Sequence, residues 1–370
     1  QKFQQMTETP VGRLICHLAL PCIISMLVTA FYNMADTFFV GMLQSNSATA
    51  AVGVVFSLMA VLQAIGFFFG HGSGNFISRE LGRHHYEEAS NMAATGFFSA
   101  LFSGLVLCIL GQIFLEPLAY LLGSTDTILP YSTAYLRVIL LGAPWMTASL
   151  VLNNQLRFQG SAVYGMVGIT SGAVLNIALD PLFIFVFDMG VRGAAVATVL
   201  SQMASCAYVL RFLFSRRAPV RITFGEYDWQ IMKRVLLIGL SPFLIIAFDN
   251  ILIIALNTVI QKYGGAEQGD MLLTCMTIVQ SFMLMVTMPL GGITSGTQTI
   301  LGYNYGARRP ERIKKAEVHI AMLGLVFTTV MFLIAHTIPQ FFVRIFTQNE
   351  TYVELMKRLP DVGNRVLTEL

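Results

Sequence analysis

ALPCIISMLVTAFYNMADTFFVGML (19–43) and VYGMVGITSGAVLNIALDPLFIFVF (163–187) decide the reading of this chain. Each is a run of roughly 25 mostly apolar residues, long enough to cross a bilayer. Each carries one aspartate, Asp36 in the first and Asp180 in the second, with no basic residue close by in sequence. A carboxylate at membrane depth is costly unless it faces a polar cavity, takes a proton or holds a cation. Two of them in an otherwise apolar protein point to an ion-coupled transporter. The competing reading is a helix-end aspartate that reaches interfacial water, and the apolar flanks on both sides of each residue weigh against it.

Composition agrees. Of 370 residues, 55% are hydrophobic and 12% charged, with mean hydropathy +0.67. A soluble chain carries roughly 25% charged residues, so lipid is the expected solvent. A net charge of +3 is too small to imply nucleic acid. A chain that opens on Gln1 is expected to lack its natural start, and residues 1–13 do not read as a cleavable signal peptide before the first span. Cys16, Cys22, Cys108, Cys206 and Cys275 lie in or beside apolar segments without a C-x-x-C pair. They are expected to be small buried apolar residues rather than a disulfide framework or metal site.

Nine apolar segments approach or exceed spanning length, near residues 14–41, 48–74, 91–114, 128–152, 163–187, 193–214, 235–260, 271–297 and 316–338. They are longer than barrel strands and lack alternation, so helices are expected. Arg13, Arg79, Arg83, Arg157, Arg211, Arg216 and Arg308 to Lys315 mark one set of loops, while the alternate loops hold only Arg192, Lys262 and Arg344. The charge rule then predicts a cytoplasmic N-terminus.

Ser215–Gln230 is basic and contains Pro219 and Gly225, which makes it the expected lobe boundary. Internal similarity supports a repeat: FISRELGRHHYEEA (76–89) aligns with ILGYNYGARRPERI (300–313), pairing Gly82 with Gly306. The same logic pairs Pro21 with Pro242 and Asp36 with Asn257. The fold class expected is all-α integral membrane, a helical bundle of two pseudo-symmetric lobes related by an axis along the membrane normal. The divisions are a six-helix lobe over 1–217, an incomplete lobe of about three helices over 218–348, and a polar tail over 349–370 that contains Pro360 and Gly363.

Asn176 and Asp180 are four residues apart and share a helix face. Pro181 lacks an N–H and frees the carbonyl of Ile177. Together with Thr198 and Asp36 these are hard oxygen donors, suited to a proton or a small hard cation such as sodium. Tyr32, Tyr135 and Asn153 could hydrogen-bond into the same pocket. Pro21 frees the carbonyl of His17 and makes the first helix a candidate moving part. The bland alternative for the polar cluster is helix-to-helix glue, at about 1 kcal/mol per contact. Gly66-x-x-x-Gly70, Gly168-x-x-x-Gly172 and Gly292-x-x-x-Gly296 read as packing signals. Met276, Met283, Met285 and Met288 suit adaptable apolar contacts, with core or lipid-facing packing the plainer reading. His84-His85 and HGSGN (71–75) match no enzyme motif, so no catalytic residue and no cofactor are expected.

NIALDPLFIF (176–185) followed by GVRGAAVAT (190–198) resembles the multidrug and toxic compound extrusion (MATE) family. ADTFFVG (35–41), LNNQLRFQG (152–160) and GYNYGARRPERIKKA (302–316) extend the resemblance over about residues 10–348. The branch is similar to the bacterial one related to the DNA-damage-inducible F protein. The resemblance implies two six-helix lobes and export of cationic or amphipathic drugs by antiport with protons or sodium. It maps the cation site, including any sodium, onto Asp36, Asn176, Asp180 and Thr198, and the bending proline of the first helix onto Pro21. It places Tyr135 and Asn153 on polar positions of the same cavity. Other branches use acidic residues in helix seven, where this chain has Asp249 and Asn250. The expected partners are small toxic molecules and the bilayer of a bacterial inner membrane, with the chain a monomer. A lipid-linked oligosaccharide flippase of the same superfamily is the alternative within transport. It would need a cationic cavity, for which Arg137 is the main candidate. A non-transporting truncated remnant is the alternative outside it.

Overall fold

A backbone in lipid must satisfy its own hydrogen bonds, and a helix does this within one segment. The computed structural model follows that rule. It describes residues 1–43, 46–216, 218, 220, 228–346, 350 and 353–354; at positions 37, 41, 46–47, 49–50, 257, 260–261, 263–278, 280–281, 342 and 345–346 it describes the backbone alone. These residues form eleven α-helices and one π-helical turn, without a strand. The fold is all-α and membrane-spanning.

Helix α1 is Lys2–Glu8, followed by α2 (Val11–Gly41), α3 (Asn46–Gly82), α4 (Tyr86–Ile113) and α5 (Leu115–Leu121). Then come α6 (Leu129–Phe158), α7 (Ala162–Pro181) with a π turn at Leu182–Val186, and α8 (Val191–Leu213). The chain continues with α9 (Trp229–Gly306), α10 (Pro310–Thr337) and α11 (Pro339–Phe346). Eight helical stretches among the described residues are long and apolar enough to cross a membrane. In the ninth expected span, 271–297, the side chains at 271–278 and 280–281, Cys275 and Met276 among them, lie outside the described residues, as does that of Asn257. Most of the expected boundary, including Arg217, Pro219, Arg221 and Gly225, and most of the tail 349–370 are also outside them.

The spans at 235–260 and 271–297 were expected as separate crossings, and the backbone is helical throughout α9, from Trp229 to Gly306. Gly239 lies against Phe68 and Gly302 against Ser78, ten residues apart on α3, whereas a straight helix between those two glycines would be about 95 Å long. The helical path therefore doubles back between them, and the two crossings stay distinct. Cys16 is exposed, whereas Cys22, Cys108 and Cys206 are buried free thiols as expected.

The described chain divides into two compact units, Gln1–Ile246 with Gly292–Glu317, and Ala247–Gly291 with Val318–Leu370. In the first, α6 is the axis: 72% of its most apolar stretch is buried, against 28% for α7 and 33% for α2. It packs on α3, α4 and α8, while α2 lies along α7 and α7 along α8. Leu136, Ile139, Leu140 and Ala143 of α6 meet Val55, Leu58 and Leu62 of α3 in the main core. In the second unit Met283 and Met285 are exposed, which suits lipid contact.

Glycines set the close crossings. A Cβ on Gly66 or Gly70 would lie 2.6 or 2.7 Å from Leu150 or Asn154 of α6. Gly172 meets Ser201 and Ser205 of α8, and Gly292 and Gly296 meet Ile23 and Leu18 of α2. The aligned pair is tightest: a Cβ on Gly82 would lie 2.3 Å from the Tyr303 carbonyl, and one on Gly306 would lie 2.1 Å from the Arg79 carbonyl. Tyr303 and Arg79 are themselves three residues before the two glycines, so the contact is reciprocal. Gly306→Val is expected to lower stability by about 1–3 kcal/mol through overpacking. Gly53→Ala, at a helical site with nothing within 4 Å, is expected to hold or raise it. Thermal unfolding in detergent checks both, and an unchanged midpoint for Gly306→Val would remove the close contact.

Candidate cation site

The polar side chains gather at one end of the first unit. Asp36 is 25 residues past Val11 on α2, Tyr135 is in the second turn of α6, Asp180 is at the end of α7, and Thr198 is in the second turn of α8. Four helices therefore converge on one point. Asp36, Asn176, Asp180 and Thr198 are all at most 4% exposed.

Tyr135 donates its hydroxyl to Asp36 Oδ2 at 2.9 Å. Asn176 Nδ2 donates to Asp180 Oδ2 at 3.1 Å, as the four-residue spacing requires. The two carboxyl groups lie within side-chain hydrogen-bond reach of each other. Tyr32 reaches both Thr198 and Gln202 from α2. The Thr198 hydroxyl donates to the Ala194 carbonyl at 3.0 Å, which leaves its lone pairs available. Among the described residues, Asp36 Oδ1, Asp180 Oδ1 and Asn176 Oδ1 are buried and accept no hydrogen bond. Three orphan acceptors in one place form a donor set for a proton or a small hard cation.

The repulsion is large enough to matter. Two unit charges about 4 Å apart repel by roughly 4 kcal/mol at an effective dielectric near 20, and by more in a dry interior. A proton shared between the carboxyl groups, or a cation between them, removes that repulsion. The local backbone helps to shape the site. Pro181 ends the regular hydrogen-bond ladder, and one π turn follows, closed by the Phe187 N–H to the Leu182 carbonyl at 3.0 Å. Gly193 fits against the carbonyl of Phe183, so α8 can start directly beside that turn.

Two expected residues stand elsewhere. Asn153 is 18 residues after Tyr135 on α6, about 27 Å along the helix. Its Oδ1 faces Gly165 near the start of α7 and accepts no bond among the described residues. Pro21 is 15 residues before Asp36, about 22 Å away along α2. Helix α2 remains continuous through it, and Ser25 Oγ donates to the Pro21 carbonyl at 2.8 Å. Asp249 on α9 is exposed. Arg137 is exposed too. One residue was missed: Gln202 lies four positions after Thr198, so the same helical period that paired Asn176 with Asp180 could have found it.

The MatE family model matches residues 21–182 and 246–361. The chain belongs to the MatE family. It is 26% identical over 350 residues to the multidrug export protein MepA of Staphylococcus aureus (strain N315), covering 94% of this chain and 76% of that protein. It is similar to a crystal structure of MATE in the bent conformation, with TM-score 0.89, 27% identity, and 97% of this chain and 80% of that one covered. A crystal structure of MATE in the straight conformation gives TM-score 0.88 and 27% identity, covering 96% and 79%. This chain is thus a multi-pass membrane protein of a multidrug efflux transporter family, whose members are transporters rather than enzymes.

Tyr135→Phe removes the hydroxyl that Asp36 accepts. It is expected to cost about 1–3 kcal/mol, since a buried acceptor is left without its donor. Tyr131→Phe, at an exposed position of the same helix, is the control and is expected to change little. Equal unfolding midpoints for the two variants would mean that the Tyr135–Asp36 bond does not hold in the folded protein.

Proposed function

We propose that this chain exports small cationic or amphipathic compounds in exchange for protons or sodium. Asp36, Asn176, Asp180 and Thr198 are the coupling site, and the lobe 1–217 carries it. The observation that carries this reading is the set of three buried orphan oxygens on two facing carboxyl groups and a carboxamide. Single open acceptors occur elsewhere, as at Gln155 and Asn153; here three meet and two belong to carboxyl groups, the kind of donor set that a transported cation can enter and leave.

In the proposed cycle the cation binds from outside and neutralises the carboxyl pair. Helix α2, which carries Asp36, then bends near Pro21 and the drug is expelled. Loss of the cation to the inside restores the charge and reopens the cavity. The cation and the drug must favour different states, because equal affinity for both states shifts nothing. The likeness to MATE structures in a bent and in a straight conformation supports two shapes for one fold. Tyr32 and Tyr135 line the site, and Asn153 acts further along the same cavity. We place the protein in a bacterial inner membrane with its N-terminus in the cytoplasm, on the charge rule. A flippase for a pyrophosphate-linked lipid would need a cavity rich in cations, and Arg137 is the main basic residue well inside a span, which makes that reading the weaker one.

Asp180→Asn tests the reading in proteoliposomes carrying a fluorescent cationic dye. With an imposed proton or sodium gradient, parent protein is expected to drive efflux, and the variant is expected to fall to the protein-free background while inserting normally. The gradient that works identifies the ion. Parent-level efflux by Asp180→Asn under both gradients would defeat the coupling assignment.

A further inference from the structure

A second site lies at the other end of the bundle, where the aligned glycines meet. Helix α3 ends at Gly82 and α9 ends at Gly306, and each is followed by a basic turn: Arg83-His84-His85, and Ala307-Arg308-Arg309. Both turns close in the same way. The His85 N–H donates to the Glu80 carbonyl, and the Arg309 N–H donates to the Asn304 carbonyl, each at 2.9 Å. His84 and Arg308 take the left-handed conformation, with φ 64° and 56°. Backbone contact between Gly82 and Gly306 holds these turns together, since no side chain separates the helices there.

Cations are thereby gathered on one surface, where a bound anion would relieve their mutual repulsion. Between the turns lies a cavity of about 410 Å³, lined by Phe3, Arg83, His84, His85, Arg308, Arg309 and the backbone around both glycines. Among the described residues its lining holds no carboxylate. Beside it, Glu80 is 4% exposed and engaged by Arg83 at 3.0 Å and His85 at 2.8 Å, and the exposed Glu88 lies 3.9 Å from His85. Arg309 donates to the Thr7 carbonyl at 3.0 Å, which anchors it beside the cavity. Arg308 is exposed and makes no ion pair among the described residues. Phe3 packs on the His84 ring with centroids 4.1 Å apart and closes one side.

We propose that this cavity binds a phosphate group, with Arg308 as its principal ligand and His84 and the remaining guanidinium N–H groups of Arg83 completing the donor set. Arginine forks match phosphate oxygens, and basic pockets at the ends of membrane helices recognise phosphorylated headgroups. The phosphate could belong to an anionic lipid or to a free phosphate ester. The proposal does not depend on the transport reading, because its test measures binding.

The experiment is thermal unfolding of the full chain in detergent, titrated separately with inorganic phosphate and with short-chain phosphatidylglycerol. Short-chain phosphatidylcholine is the zwitterionic control. A saturable rise with phosphate itself identifies a free-phosphate site, and a rise with phosphatidylglycerol alone identifies a lipid site. In either case Arg308→Ala is expected to raise the half-saturating concentration about tenfold or more, with Arg308→Lys between the two. Arg308 is exposed, so its loss is expected to leave folding intact. The proposal fails if neither probe saturates, or if Arg308→Ala responds as the parent does.

Discussion

Two buried carboxyl groups within reach of each other are the constraint that the first unit has to satisfy. A carboxylate pair in an apolar bundle is stable only when each charge finds donors, or when a proton or cation cancels one of them. The protein supplies one donor to each side, Tyr135 to Asp36 and Asn176 to Asp180. It stops short of completing either shell. The buried Gln155 is partly satisfied too: its Nε2 bonds both the Ser73 hydroxyl and the Ala93 carbonyl, tying α6 to α3 and α4, while its Oε1 accepts no bond among the described residues. The cluster differs from such helix glue because its open acceptors are on carboxyl groups, whose charge a proton or cation must cancel.

Placing those donors requires a rigid reference, and α6 provides it. Its burial on several sides holds Tyr135 at fixed depth, while α2 and α7 remain more exposed. The side chains that bear the two carboxyl groups thus sit on the outer helices, and the donor to Asp36 sits on the central one. A change at the carboxyl pair then acts on helices with fewer contacts to break.

Much of this was legible because membrane helices announce themselves by length and apolarity. Asp36 and Asp180 stood out because lipid makes charge expensive, and Asn176 followed from the helical period. The Gly82–Gly306 pairing was legible as a repeat, though its backbone contact was not, since glycine spacing does not say which helix is opposite. The depth of Asn153 was not legible for a related reason. Being polar within a span fixes neither depth nor direction, and it lies about 27 Å along α6 from Tyr135. Helix α1 was missed because seven residues, KFQQMTE, carry no spanning signal. Its place depends on distant partners: Asn304 and Arg312 bond the Met6 carbonyl, and Lys2 bonds that of Gly160.

Pro21 gains meaning from what touches it. Gly292 and Gly296 of α9 approach α2 at Ile23 and at Leu18 and Ala19, on either side of the proline, with backbone meeting backbone. A contact made by glycines has no interlocked side chains to repack, so a helix can pivot against it at low cost. The proline lacks the donor that would stiffen α2 at that same level. In the proposed cycle the bend belongs near Pro21, where a backbone hydrogen bond is missing, rather than beside Asp36, where Tyr135 anchors α2 to the central helix. The separation of about 22 Å between the two is then a lever arm: a small change of angle at the proline moves the carboxylate by several ångströms relative to its neighbours.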